Sequence, residues 1–209
     1  MHRTLREQKI HIPAEMENNL QLLHSYNITR GLIKRGENYI AAQLLIRIST
    51  NISQFPIHAV PILTSTVVTC TKAGLKASAF KFASLLLQPT YRQKIDEKYK
   101  RKIETVVRKS DRNSTDIEMK RTPCPMCQAP VEEFSLSCSE CKSSIPYCVV
   151  TGRHVTSSDF AMCPSCSFPG FFSEFNKLVA LHEKCPMCYE KVDGVVPADY
   201  FESQKTIAK

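Results

Sequence analysis

Three absences narrow the reading before any motif is considered. No stretch approaches the roughly 20 consecutive apolar residues of a membrane span, and the opening Met1 to Lys9 is charged with no apolar segment behind it. Neither a transmembrane segment nor a secretory signal is therefore expected. There is no glycine-rich phosphate loop and no serine nucleophile elbow, which removes the common nucleotide-binding and acyl-transfer designs. Catalytic acid/base pairs are also missing. Glu132, Glu133 and Asp159 stand at no spacing that would serve an open catalytic zinc, and His11, His24 and His58 have no acidic partner nearby. The expectation is a chain that is not an enzyme and has no small-molecule substrate.

What is abundant is cysteine, and it is unevenly placed. Of ten cysteines, nine follow residue 123. Cys124/Cys127, Cys138/Cys141, Cys163/Cys166 and Cys185/Cys188 form four Cys-x-x-Cys pairs within 65 residues. A two-residue gap lets a tight turn aim both sulfurs at one metal while backbone N–H groups point toward them. One such pair could be a redox dithiol, but four in one short segment point to two structural zinc ions. In the sequential assignment, Cys124, Cys127, Cys138 and Cys141 form one site across a ten-residue spacer able to form a hairpin, as in a zinc ribbon. Cys163, Cys166, Cys185 and Cys188 form the other across an 18-residue spacer, helical from Phe171 to Glu183 by its apolar spacing. A cross-braced arrangement is the alternative, although no histidine precedes an inner pair.

Cys148 and His154 are extra candidates. They could be alternative metal ligands. Otherwise Cys148 is a small buried hydrophobe on a strand through Tyr147, Val149 and Val150, with a turn at Thr151-Gly152 and His154 hydrogen-bonded or exposed. Thiols in this number favour metal over disulfides in a reducing compartment, and the Asn-x-Ser/Thr sites at Asn27, Asn51 and Asn113 are then chance matches.

The first part of the chain can build an apolar core and the second would depend on metal. The expected division is a helical segment 1–109, a polar linker 110–121, a double zinc-binding module 122–193 and a tail 194–209. Helices are expected over 15–34, 37–49, 57–72 and 75–86, paired through the Arg35-Gly36 and Ala73-Gly74 stops. Two such pairs of about 35 to 38 residues suggest a tetratricopeptide-like solenoid, with a generic bundle as the alternative. Cys70 falls on an apolar stripe and is expected to be inert. The fold class is thus an all-α tetratricopeptide-like solenoid followed by a small zinc-ribbon-like α+β module.

The net charge is +8. A fifth helix, Tyr91 to Arg112, turns Ile95, Tyr99, Ile103, Val106 and Val107 inward and carries a basic outer side. Asp96, Glu97 and Glu104 interrupt that charge. Lys98, Arg101 and Lys102 are the candidates for partner binding. The same face could be merely solvated, or could contact nucleic acid or anionic lipid.

The stretches Asn51-Ile-Ser-x-Phe-Pro-x-His-x-Val-Pro-Ile-Leu-Thr-Ser-Thr-Val67, Ala73-Gly-Leu-Lys-x-Ser-Ala-Phe80, Tyr91-Arg-x-Lys-Ile-Asp96 and Lys100-x-Lys-Ile-Glu104 carry a resemblance. So do Ile145-Pro-Tyr-Cys-x-x-Thr-Gly-Arg-His154, Cys163-Pro-x-Cys-x-Phe-Pro169, Ser173-Glu-Phe175 and Cys185-Pro-Met-Cys188. From about Leu20 to Cys188 the chain resembles the carboxy-terminal part of the WD-repeat subunits of intraflagellar transport complex A. The resemblance implies a non-enzymatic scaffold or adaptor in cilium assembly, retrograde transport and delivery of ciliary membrane proteins. It implies other complex A subunits as partners, ciliary membrane cargo reached through the complex, and a location in the cytoplasm, the cilium and its base. Those subunits open with β-propellers, which this sequence lacks, so a fragment, a short isoform or an incomplete product is expected. The rival function is a zinc-dependent nucleic-acid-binding module using the basic helix 92–109; a zinc-dependent ubiquitin ligase is a weaker third.

Overall fold

The computed structural model describes residues 13–109 and 115–197. Contacts divide it into two compact units, one of residues 21–118 and one of residues 13–20 with 119–197. His11, Asn113 and the tail beyond residue 197 lie outside the described residues.

The helical unit takes its elements from α1 (Ala14–Lys34), α2 (Asn38–Thr50), α3 (Ala59–Lys72), α4 (Lys76–Leu86), the short α5 (Pro89–Arg92) and α6 (Glu97–Lys109). It is a solenoid with tetratricopeptide-like packing, in which α2 lies on α3 and α3 on α4. The two glycine stops work alike. Gly36 (φ +80°) and Gly74 (φ +77°) take the left-handed conformation that only glycine adopts freely. After each, the chain closes back on the helix: Glu37 N–H donates to Leu32 C=O at 3.0 Å, and Leu75 N–H to Cys70 C=O at 2.9 Å. That paired closure satisfies carbonyls left open at a helix end and reverses the chain within three residues.

Packing follows the apolar stripes. Leu63, Val67, Phe82, Ala83, Leu86, Ile95 and Ile103 form one core cluster, and Leu22, Leu45, Ile48 and Ile62 a second. Ala42, Ala79, Leu75 and Cys70 form a third, where the small side chains let helices approach closely. Burial and the nearby Asp116 carboxylate push the Cys70 thiol up to about 12, so it stays protonated and unreactive. One polar pair is buried between α2 and α3, Ser49 Oγ with Thr66 Oγ1 at 2.7 Å, and Thr66 also bonds the Ile62 carbonyl.

Three expectations change in detail. The basic helix is broken between Arg92 and Glu97. The Asp96 carboxylate accepts the Lys98 N–H at 3.1 Å and caps a fresh start for α6. Ile95 is buried, but from the connection rather than from a helix face. Asp116, expected in a polar linker, receives the N–H groups of Ala77 and Ser78 at 2.8 and 3.0 Å and so caps α4.

The other unit has little regular structure. β1 (Arg121–Pro123) pairs antiparallel with β2 (Pro130–Glu132), β3 (Phe160–Met162) pairs with β4 (Pro169–Phe171), and α7 (Phe172–Ala180) follows. The first hairpin therefore brackets Cys124 and Cys127 instead of filling the ten-residue spacer. The helix expected over 171–183 stops at Ala180. No helix among the described residues is long and apolar enough to cross a membrane.

Candidate metal centres

The eight paired thiols gather into two sets of four, Cys124, Cys127, Cys138 and Cys141 in one and Cys163, Cys166, Cys185 and Cys188 in the other. Within each set all sulfurs lie within 4.8 Å of one another. The separations are 3.8 Å for Cys124–Cys141, 3.6 Å for Cys127–Cys138, 3.9 Å for Cys163–Cys188 and 4.0 Å for Cys166–Cys185. A tetrahedron with metal–sulfur bonds of ~2.3 Å has edges of ~3.8 Å, whereas a disulfide would need ~2.05 Å. Both sets therefore have the geometry of a closed four-thiolate metal site.

The turns that aim these sulfurs share one backbone plan. In the first, Cys124 N–H donates to the Ala129 carbonyl at 2.8 Å and the Cys124 carbonyl accepts Gln128 N–H at 2.9 Å. Cys163 repeats this with Phe168 and Ser167, and Cys185 with Glu190 and Tyr189. Cys138 N–H likewise donates to the Ser143 carbonyl at 3.0 Å. The residue four places after each leading cysteine takes positive φ: Gln128 (64°), Lys142 (58°), Ser167 (57°) and Tyr189 (62°). Non-glycine residues enter this region at a cost, so the repeated strain marks turns held by what their cysteines face.

Electrostatics within the sets favour a cation. The hydroxyl and backbone N–H of Ser143 hold the Cys141 thiol down to about 6. Hydrogen bonds from the Cys166 and Cys185 thiols likewise lower Cys163, while those with Cys163 and Cys185 drive Cys166 upward. Four thiolates brought this close would repel one another. A dication at the centre removes that conflict by stabilising all four.

Cys148 and His154 belong to neither set. Yet Cys148 heads a fifth turn of the same plan: its N–H donates to the Arg153 carbonyl at 2.7 Å, and its carbonyl accepts Gly152 N–H at 2.7 Å. Gly152 holds the positive φ of 73°. Thr151 stands where the second cysteine would be, and the Cys148 sulfur instead receives Phe171 N–H at 3.4 Å and bonds the Thr151 hydroxyl. Burial pushes its thiol upward, and it packs with Val155, Phe160 and Phe171. Val149 and Val150 are thus turn residues rather than a strand, which reduces to the bridge Tyr147–His154. The signal was present as Cys-x-x-Thr-Gly, with the glycine at the left-handed position.

His154 is 1% exposed and hydrogen-bonded, Nε2 to Thr122 Oγ1 at 2.6 Å and Nδ1 to the Ser135 carbonyl at 3.0 Å. Arg153 pairs with Glu133 at 3.6 Å and Glu174 at 3.8 Å. The Cys148 turn therefore ties the first set's hairpin to the helix that follows β4. Asp159 caps that helix, accepting Ser173 N–H at 2.9 Å. The acidic residues Glu133 and Asp159 thus have structural partners.

Lys98, Arg101 and Lys102 are exposed on α6 at helical spacing. Lys98 pairs with Asp96 at 3.2 Å and lies 4.9 Å from the Tyr99 ring centre.

A family profile described as "IFT121, second zinc finger domain" matches residues 146–193, which hold the Cys148 turn and the second set. The chain is 51% identical over 199 residues to WD repeat-containing protein dyf-2 of Caenorhabditis elegans, covering 95% of this chain. It is 51% identical over 194 residues to WD repeat-containing protein 19 of Mus musculus and 49% identical to that of Homo sapiens, covering 93% of this chain in both cases. In each comparison it spans 14% of the relative's own length. Over nearly all of its length, the chain is homologous to one segment of the WD repeat-containing proteins 19 and dyf-2.

Proposed function

We propose that the chain is a non-enzymatic scaffold segment of an intraflagellar transport complex A subunit, of the type of the 144-kilodalton member. The identity of about half of all positions to dyf-2 and WD repeat-containing protein 19, running through both units, carries this reading. On it, the chain works in the cytoplasm, the cilium and its base. There it supports cilium assembly, retrograde transport and delivery of membrane proteins through contacts with other complex A subunits.

The two thiol sets hold zinc in this reading. Cys124, Cys127, Cys138 and Cys141 take one ion, and Cys163, Cys166, Cys185 and Cys188 the other. Four protein thiolates leave no open position, so the metal supplies folding energy and no reaction chemistry. Residues 110–121 link the two parts.

Lys98, Arg101 and Lys102 are assigned to docking on a complex A neighbour. Reconstitution of the chain with complex A subunits tests this. Changing the three residues together to Glu should weaken association while zinc content and helicity hold, since one exposed pair is worth only ~0.2 to 1 kcal/mol. Normal assembly with loss of tight, salt-labile binding to a DNA duplex would assign the face to nucleic acid instead.

A further inference from the structure

With the four-residue α5 counted as part of a connection, helices α1, α3 and α6 are alternate members of the series, and in an antiparallel stack alternate helices fall on the same side. An open groove of about 900 Å³ runs along that side of the helical unit, from the end of α1 across α3 to the α5–α6 connection. Its apolar lining includes Val68, Tyr91, Tyr99 and Ile57, the last 87% exposed. Isolated exposed aliphatics are ordinary, but one at the mouth of an apolar groove marks a surface that gains by being covered.

The charged groups of the lining are Lys72, Lys94 and Asp96. Lys72 and Lys94 are exposed, and neither has an ion pair among the described residues. Asp96, the acidic group of the lining, is already satisfied by the Lys98 N–H and ammonium, which hold its carboxyl below the usual range. The uncompensated charge of the groove is therefore positive while its walls are apolar. A phosphate backbone would find two cations and no continuous basic track, whereas a polypeptide can present carboxylates and apolar side chains together.

We propose that this groove receives an extended acidic segment of a partner protein. Asp or Glu carboxylates meet Lys72 and Lys94, and one or two large apolar side chains lie against Ile57, Val68 and the two tyrosines. The proposal rests on the scaffold reading but makes no use of Arg101 or Lys102.

Fluorescence anisotropy on the full, metal-loaded chain tests it with three peptide pools of about 14 residues, a length able to span such a groove when extended. The first alternates Asp/Glu with Leu, Ile or Phe; the second replaces the acids by Asn/Gln; the third replaces the apolar residues by Ser. The first pool should bind roughly ten-fold or more tightly than either control, because charge and burial are both required. Lys72→Glu with Lys94→Glu, and separately Ile57→Ser, should each remove most of that binding with the circular dichroism spectrum unchanged. The double variant Arg101→Glu with Lys102→Glu should leave it intact. Equal binding of the three pools, no effect of the rim variants, tighter binding of a single-stranded DNA 20-mer that displaces the peptide, or closure of the groove by a second copy in sedimentation would each overturn the proposal. If the triple variant disrupts complex assembly while the rim variants change neither peptide binding nor assembly, the groove proposal falls and the scaffold reading stands. If the groove binds the first pool as expected but the chain associates with no complex A subunit, the groove proposal stands and the scaffold reading falls.

Discussion

Residues 21–109 and 119–197 are of similar length, yet they solve the problem of staying folded differently. Of the twelve largest side chains buried to under 2% exposure, ten belong to the helical unit, among them Leu22, Leu44, Ile48, Leu63 and Ile103. The cysteine-rich unit supplies two, Phe175 and His154, and one of those is polar. A unit of this size with so few large buried residues cannot offset its chain entropy by apolar burial alone. What it has instead is five turns of one plan, four of them opening onto shared sulfur sets. The contrast shows that regular structure follows from where the apolar burial lies: long helices where stripes can meet, three-residue strands where a turn only has to present a sulfur.

Metal removal should break the comparison most visibly. Structural zinc contributes about 10–16 kcal/mol to the folding of small zinc domains, so a strong chelator should collapse the amide dispersion of residues 119–197. Helical circular dichroism from 21–109 should largely survive. Cooperative loss of both signals would show that the units are energetically one. Acid should act in the same direction as chelation, because each ligand must lose a proton to bind. Metal release should therefore rise as pH falls.

A core truncation should act on the other side of the comparison. Leu63 is fully buried among Val67, Phe82 and Leu86, so Leu63→Ala should cost ~2–5 kcal/mol in urea unfolding of the helices. The content of two metals per chain should be unchanged. If zinc is lost as well, folding of the cysteine-rich unit depends on the helices.

Gly170→Ala tests a tightly packed spot in the cysteine-rich unit. A Cβ at Gly170 would lie 2.6 Å from Cε2 of Phe175, a ring with 0% exposure. The expected cost is ~1–3 kcal/mol, seen as faster zinc release to a chromogenic chelator from the second set alone. The smallest effect belongs to Asp116→Ala, which uncaps α4 and should lower helical stability by ~1 kcal/mol, less at high salt. An unchanged melting temperature would show that solvent replaces the cap.

Much of the architecture was legible because its signals are local. Gly36 and Gly74 announce chain reversals, since few other residues adopt their φ, and the stripes through Leu44, Leu63 and Phe82 give the buried faces directly. Less visible was the break before α6, where a single Asp96 capping bond overrides a continuous run of helix formers. Asp116 gave no local sign of its role because the groups it caps are 38 and 39 residues away in sequence.

The cysteine spacing by itself determined that two sets of four thiols were available, because a two-residue gap constrains where each pair of sulfurs can point. Only the tertiary structure decided that Cys148 stays out of both sets. A Cys-x-x-Thr-Gly turn has the same backbone as its four neighbours, and whether its sulfur faces other thiols or Phe171 depends on how distant turns pack. The groove beside α3 is of the same kind. Lys72, Ile57 and Tyr99 are each ordinary in sequence, and they share a surface because alternate helices stack on one side.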